Sequence, residues 1–224
     1  MCGRFTRKEN FKQLAETLGL AHLPSLEPRY NIAPSQMIGC VRTNPSTRET
    51  EYVQLKWGLV PSWAKDSGIG HSLINARAET VADKPSFRKA FKQQRCVILA
   101  DGFYEWKREG KSKQPYYIHL KDNRPFVFAG LWDHWEKGEG APINSCTLIT
   151  TGPNAVMEPI YHRMPVILNP GDYSLWLDLA VQDSTRLSPL LQPYPSEDME
   201  AFPISPLVNN PRNDTRLCVQ PFQN

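Results

Sequence analysis

The stretch FVFAGL at residues 126–131 decides the fold, because it is rich in β-forming residues and turn-forming residues lie on both sides of it. Two runs of the same kind occupy residues 116–120 and 146–150. Turn-forming residues separate all three runs. The pattern predicts an antiparallel sheet or barrel.

Shorter predicted elements surround these strands. Apolar residues at helical spacing predict a first helix over residues 8–20, with Gly19 as its stop signal. Further helices are predicted at 80–94, 154–160 and 171–179, and further strands at 37–42, 52–55, 56–59, 96–100 and 166–168. Twenty prolines spread over the chain indicate short elements and many fixed loops. Since no composition break stands out, we expect one compact domain over residues 1–224.

Composition excludes several classes of protein. Hydrophobic residues make up 40% and charged residues 22% of the 224 residues, as in globular proteins with a sizeable core. The 26 Lys and Arg against 23 Asp and Glu leave a net charge of only +3, so affinity for a polyanion must come from local placement of cations. The sequence shows neither a membrane-spanning apolar run nor a signal peptide. It therefore predicts a cytoplasmic protein with no membrane partner.

The five cysteines are scattered and form no CxxC pair, which argues against a disulfide scaffold and a zinc site. The five histidines also lack metal-ligand spacing. We therefore expect no metal and no cofactor. Cys96 and Cys146 lie within apolar runs and are predicted to be inert core residues.

Cys2 differs from the other cysteines because it directly follows Met1. Removal of Met1 would give it a free α-amine, which titrates near pH ~8, beside a thiol that titrates near ~8.5. An aldehyde can form an imine with such an amine, and the thiol can then close on the imine carbon to give a thiazolidine. The alternative is that Cys2 follows the initiator methionine by chance.

Three further sequence motifs could carry chemistry. Asn75 and Arg77 are two residues apart, so an extended segment would present an amide and a guanidinium on one face, suited to phosphate or carbonyl recognition. The alternative is a capped helix start with solvent-exposed charges. Glu105 lies between two aromatic residues at the end of an apolar strand, where burial could raise its pKa for acid–base work. The alternative is a carboxylate in water.

The third motif is YHRMP at residues 161–165. His162 beside Arg163 could bind an anion or move a proton near neutral pH, although a lone histidine is more often structural. Trp106 adds a flat face on which an unpaired base could stack.

Six blocks in order along the chain resemble the SOS-response-associated peptidase (SRAP) family, and the resemblance spans about residues 2–208, leaving 209–224 as a C-terminal tail. The blocks are CGRF at 2–5, RYNIAP at 29–34, WGLVPSW at 57–63, INARAET at 74–80, ADGFYEW at 100–106 and RMP at 163–165.

The resemblance implies a single compact α+β domain with a β-barrel-like antiparallel core flanked by short helices. It implies that Cys2 crosslinks covalently to abasic sites in single-stranded DNA. Catalytic roles fall on Cys2, Asn75, Glu105 and the histidine of the third motif. By similarity, the DNA-binding residues are Arg4, Pro34, Trp63, Arg77, Trp106, Tyr161 and Arg163.

The same resemblance implies a monomer that shields lesions in the DNA damage response, acts at the nucleoid and meets the replication machinery. Two alternatives remain open. One is a peptidase in which Cys2 is an N-terminal nucleophile and removal of Met1 is self-processing. The other is a reader of damaged or modified DNA that binds without a covalent bond.

One position departs from the family pattern. The family usually has its functional histidine directly after the isoleucine, where this chain has Tyr161, and His162 follows one residue later. Adjacent residues of an extended segment point to opposite sides, so His162 need not reach the cleft. A phenol cannot carry a proton near pH ~7 as imidazole does. Ring opening or crosslink reversal is therefore expected to differ in this chain.

Overall fold

The structure is a computed structural model and describes residues 2–110, 112–137 and 140–222. The strands within these residues are β1 (Phe5–Arg7), β2 (Arg29–Ile32), β3 (Met37–Thr43), β4 (Thr50–Trp57), β5 (Asn75–Arg77), β6 (Arg95–Ala100), β7 (Gly102–Glu109), β8 (Ser112–Leu120), β9 (Phe126–Trp135), β10 (Ile143–Thr151), β11 (Met164–Pro165) and β12 (Met199–Pro203). The α-helices are α1 (Lys12–Thr17), α2 (Arg88–Gln93), α3 (Tyr173–Leu177) and α4 (Ser184–Leu187). Short 3₁₀ helices occupy Ser67–Ser72, Pro170–Asp172, Ser188–Leu190, Ser196–Asp198, Pro206–Asn209 and Arg216–Val219.

Five strands close into a barrel. Antiparallel pairing joins β4 to β3, β3 to β6, β6 to β9 and β9 to β10. The ring closes where β10 pairs parallel with β4, with Cys146 opposite Trp57. The predicted β-barrel is confirmed, and one of its five pairings is parallel rather than antiparallel. Of the three β-rich runs, 126–131 and 146–150 lie in the barrel, whereas 116–120 lies in β8 of a second sheet.

Five further strands form a second, antiparallel sheet in the order β12-β8-β7-β1-β2. Edge-to-face contacts between aromatic rings join this sheet to the barrel. The ring of Phe5 in β1 lies 5.3 Å from that of Trp57, and Phe103 in β7 lies 6.1 Å from Phe128 in β9. The inner face of the second sheet is therefore packed against barrel strands.

Side chains alternate along the barrel strands as a period of two requires. In β6, Cys96 and Ile98 pack with the cluster that includes Phe5 and Trp57, whereas Val97 and Leu99 pack with the helix residues. Gly130 in β9 makes room inside, because a Cβ there would lie 3.0 Å from the Cys96 sulfur. Cys40, Cys96 and Cys146 belong to the same inner cluster, and burial raises the pKa of each thiol.

Arg95 ties the helices to the barrel. This residue is fully buried, and burial lowers its pKa to about 10, so the guanidinium remains charged at neutral pH. It donates hydrogen bonds to five main-chain carbonyls, those of Phe91, Lys92, Trp176, Asp178 and Val181. The end of α2 and the end of α3 are thereby held to one side chain of β6. No helix in the described ranges is both long and apolar enough to cross a membrane.

The C-terminal segment 205–222 lies over the outer face of the second sheet. Fully buried Asn31 in β2 donates from Nδ2 to the carbonyls of Val208, Asn210 and Asn213, at 2.9 to 3.1 Å. Asp214 accepts the main-chain N–H groups of Tyr30 at 2.5 Å and Asn31 at 2.9 Å along the outer edge of β2. β2 is therefore one anchor of this segment.

The helices are shorter than the sequence pattern predicts. The amide of Glu9 is bound by Asp101, so α1 begins only at Lys12. Residues 80–87 form turns, because Pro85 disfavours helix at the residue before it, and α2 is left with six residues. The helix predicted at 154–160 is wrong: the Asn154 side chain accepts the amide of Met157, and the segment is a series of turns.

Candidate active site

Cys2, Asn75 and Glu105 meet at the end of the barrel where β4 ends and β5 begins. Asn75 opens β5, and its Nδ2 donates to the Cys2 carbonyl at 2.9 Å. Glu105 lies in the middle of β7, and its charge raises the pKa of the Cys2 thiol. The structure thus brings together three residues that the sequence separates by up to 103 positions.

The Cys2 thiol is held in its protonated form. Its side chain is fully buried, and burial, followed by the Glu105 carboxylate, raises its pKa well above the ordinary value. The sulfur donates weakly to the Arg4 carbonyl at 3.8 Å. Because the thiolate is the nucleophilic form, this cysteine needs a base to react.

Glu105 has the properties of such a base. It is 3% exposed, and burial raises its pKa to about 7. Both protonation states are therefore populated at neutral pH, which allows one carboxyl group to donate a proton in one step and accept one in another. Of the two alternatives that the sequence left open, the structure shows the buried one.

Asn75 and Arg77 project from the same side of β5. Ala76 between them packs into the helix-covered core, so its neighbours point the other way. Arg77 is exposed, whereas Oδ1 of Asn75 is buried and has no hydrogen-bond partner among the described residues. β5 therefore offers an unused acceptor beside Cys2 and a cation at the surface.

Arg163 is held in an ion pair. Its two terminal nitrogens donate to the two carboxylate oxygens of Glu79 at 2.5 and 3.0 Å. One of them also donates to the main-chain carbonyl and the hydroxyl of Thr150, at 2.6 and 3.2 Å. The family resemblance predicts a DNA contact for Arg163 and no role for Glu79.

Arg4 and Trp106 are bound to the C-terminal segment. Arg4 donates to the carbonyls of Val208 at 2.8 Å and Asn209 at 3.3 Å, and to the Asn31 side chain at 2.9 Å. The indole N–H of Trp106 donates to the Asn209 side chain at 2.7 Å. Trp106 therefore packs on the outer face of the second sheet, whereas its neighbour Glu105 is buried with Cys2.

Tyr161 and His162 have different surroundings. Tyr161 is half-buried and packs against the core cluster that contains Cys2. His162 is exposed, and its ring centroid lies 4.3 Å from that of Tyr161. Tyr161 therefore contacts the core cluster that contains Cys2, whereas His162 lies at the surface.

Two predicted DNA contacts lie in loops near the same end of the barrel. Pro34 is half-buried in the turn between β2 and β3, where the amide of Ser35 donates to the Trp57 carbonyl at 2.8 Å. Trp63 follows β4 and is 49% exposed, and the neighbouring Ser62 amide is fixed by Asp133 at 2.8 Å. An exposed indole on an anchored loop suits base stacking.

Sequence reasoning missed three polar residues: Glu79, Asn31 and Asn209. Glu79 and Asn31 lie inside the blocks at 74–80 and 29–34 that resemble the family. Their hydrogen-bond partners lie 84 to 182 residues away in the chain, so local sequence does not identify them. Among the described residues, no group of three or more His, Cys, Asp and Glu side chains is arranged to hold a metal ion.

Comparison with known proteins gives consistent matches over nearly the whole chain. The model of a family described as SOS response associated peptidase (SRAP) matches residues 1–211. The abasic site processing protein YoqW of Bacillus subtilis is 48% identical, over 98% of this chain and 99% of that protein. The abasic site processing protein HMCES of Gallus gallus is 35% identical, over 82% of this chain and 61% of that one.

A solved structure matches the fold as well. The crystal structure of a protein from Bacteroides thetaiotaomicron superposes with a TM-score of 0.85 at 28% sequence identity. The match covers 99% of this chain and 100% of that one.

Proposed function

Because the chain belongs to the SOS response associated peptidase (SRAP) family, we propose that it processes abasic sites in DNA by bonding to them covalently through Cys2. Relatives up to 48% identical are named for abasic site processing. The observation that carries the covalent step is the convergence of Cys2, Asn75 and Glu105 at one buried end of the barrel.

The proposed reaction starts once Met1 has been removed. The α-amine of Cys2 adds to the aldehyde carbon of the open abasic sugar, and loss of one water gives an imine. The Cys2 sulfur then forms a bond to the imine carbon while the thiol proton passes to the imine nitrogen. A thiazolidine results, and water is the other product.

Glu105 would act in two steps of this reaction. An abasic sugar rests mostly as a closed hemiacetal, and a protonated carboxyl group speeds its opening to the aldehyde. The same group as carboxylate takes the thiol proton and passes it to the imine nitrogen. A pKa of about 7 supplies both forms at neutral pH. Asn75, with an unused carbonyl oxygen beside Cys2, would orient the amine or the sugar hydroxyl.

Single-stranded DNA would lie across this end of the barrel. Exposed Arg77 is a ready phosphate contact two residues from Asn75, and exposed Trp63 offers a stacking face. Pro34 and Arg163 belong to the same expected set, whereas Arg4 and Trp106, also expected from the family, are bonded to the C-terminal segment and would have to leave it to contact DNA here. Because an abasic nucleotide lacks a base, it would bring less bulk to the buried Cys2 than an intact nucleotide.

Intact-protein mass spectrometry after mixing with an abasic single-stranded oligonucleotide tests the proposal. We expect a species equal to the Met1-free protein plus the oligonucleotide minus one water. Cys2→Ser should form no stable adduct, whereas Cys218→Ser, which alters another buried cysteine, should react like the wild type. An equal yield of stable adduct from Cys2→Ser would contradict the assignment. The same spectra report whether Met1 has been removed.

A further inference from the structure

The Glu79 carboxylate is bound by one arginine assigned to phosphate binding, Arg163, and lies within the electrostatic influence of a second, Arg77. Arg163 binds it through both terminal nitrogens, at 2.5 and 3.0 Å. Glu79 also follows Arg77 by two residues. The hydrogen bond from Arg163, with a smaller contribution from the charges of Arg163 and Arg77, lowers the pKa of the Glu79 carboxyl. The arrangement of one planar anion held by a guanidinium fork is the one by which arginine binds phosphate.

The backbone places the two arginines on opposite sides of one residue. Thr150 near the end of β10 is in register with Arg77 of β5 on one side. On the other side it is in register with Pro165 of β11, two residues after Arg163. The Thr150 carbonyl accepts from both Ala78 and Arg163. Glu79 follows β5 and Arg163 precedes β11, and both of these strands pair with β10.

The exposure of the two partners shows which one meets an incoming ligand first. The Glu79 side chain is 52% exposed and that of Arg163 is 11% exposed. Since Thr150 holds one nitrogen of the Arg163 fork, the guanidinium stays in place if the carboxylate swings away. A phosphate would then find the fork already oriented.

We propose that Glu79 acts as an internal substitute for a DNA phosphate: it occupies the Arg163 fork in the free protein and must be displaced before a backbone phosphate can bind there. This inference rests on the proposed function, because it assumes that single-stranded DNA crosses this end of the barrel. Glu79 thereby weakens binding to undamaged strands, which have no aldehyde to hold them, and makes the protein more selective for lesions.

Binding of a fluorescent, undamaged single-stranded oligonucleotide, followed by anisotropy at about 50 mM salt, tests the proposal. We expect Glu79→Gln to bind about 3- to 10-fold more tightly than the wild type, with a salt dependence steeper by about one phosphate contact. Glu51→Gln is the matched control, since it makes the same charge change in a Glu–Arg pair at the opposite end of β4. Its affinity should rise less than 2-fold.

If the Glu79–Arg163 pair only stabilises the fold, removal of the Glu79 charge should not strengthen DNA binding. Equal or weaker binding by Glu79→Gln, or a gain no larger than that of Glu51→Gln, would overturn the proposal. The double variant Glu79→Gln/Arg163→Gln should lose the gain, because the freed fork is what binds the phosphate. Should Glu79→Gln unfold at a lower temperature than the control, Glu79→Asp is measured instead. Tighter binding by that shortened carboxylate supports the proposal, and no gain overturns it.

Adduct formation with abasic DNA, measured separately on the wild type, keeps this test apart from that of the proposed function. Tighter binding by Glu79→Gln without any wild-type adduct leaves the phosphate substitute standing and contradicts the covalent step. Adducts without a gain in affinity contradict only the role of Glu79. Absence of DNA binding by every variant contradicts both.

Discussion

Glu105 is a single carboxyl group that the fold holds at a cost in stability. A native pKa raised from its ordinary value to about 7 means that the folded protein keeps a proton which the unfolded chain releases. Stability therefore falls as pH rises through the window between those two values and is level above it. The residue suited to acid–base chemistry is thus one that opposes folding at neutral pH.

Glu105→Gln should remove this penalty. We expect the variant to exceed the wild type in free energy of unfolding by up to about 3 kcal/mol at pH 8, and to show little difference near pH 4.5. Urea unfolding at both pH values measures the effect, with exposed Glu16→Gln as the control. A difference that does not change with pH would show that the carboxyl group is not the cause. The same variant should form abasic adducts more slowly.

Tyr161 poses a second question at this scale, because it packs on the core cluster that contains Cys2 at the position where the family usually has its histidine. We expect Tyr161→His to raise the rate of adduct formation or reversal several-fold and to add a group near pH ~6.5 to its pH profile. Quenched gel assays across pH 5.5 to 8.5 measure both rates. Exposed His162→Ala should change neither rate by more than about 2-fold; a large loss would return the role to His162.

Residue types near the site were readable from the sequence, but their partners were not. Burial next to aromatic residues predicted a raised pKa for Glu105, and the structure agrees. Nothing local shows that Trp106 meets Asn209 or that Arg163 meets Glu79, because these contacts cross strands that are far apart in the chain.

Among the elements, β2 has a role out of proportion to its four residues. Asn31 holds three carbonyls of the C-terminal segment and accepts from Arg4. That segment in turn fixes the indole of Trp106 through Asn209. The position of a predicted stacking residue therefore depends on a strand that contributes no side chain to the reaction.

Asn31→Ala should release this segment. Loss of four hydrogen bonds at a buried site is expected to lower the free energy of unfolding by about 2–4 kcal/mol. Limited proteolysis should then cut within residues 205–222 sooner than in the wild type. Asn144→Ala, at an exposed position, serves as the control. Unchanged protection of the segment would show that other contacts hold it.

Strands were more predictable than helices in this chain. The apolar runs that became β6, β9 and β10 are buried on both faces and carry a strong local signal. Helix lengths depended instead on side chains that bind the backbone, as Asp101 does before α1 and Asn154 does after β10.

At the scale of the whole molecule, a net charge of +3 gives little general attraction to DNA. The proposed binding must therefore depend on a few placed cations. We expect the affinity for single-stranded DNA to fall by about 0.7 log units per tenfold rise in salt for each phosphate contact. Arg77→Gln should flatten the plot of log affinity against log salt by about 0.7. Arg48→Gln, exposed in the distant turn between β3 and β4, should leave the slope unchanged. Equal slopes for all three proteins would exclude Arg77 as a phosphate contact.

Barrel closure is the part of the architecture that local pattern could not supply. The ring depends on a short parallel contact between β10 and β4, whose residues are 89 positions apart. Period and turn signals identify strands, but they do not say which distant strands become neighbours.

Closure removes free edges from the barrel, but the second sheet still ends at β2. Edge strands expose N–H groups that can recruit a strand from another molecule. Asp214 occupies those groups at Tyr30 and Asn31, so a carboxylate does what a neighbouring strand would do. Residue 214 lies beyond residues 1–211, which the family model matches. We expect a protein shortened to residues 1–211 to expose these two N–H groups and to aggregate more readily than the full chain.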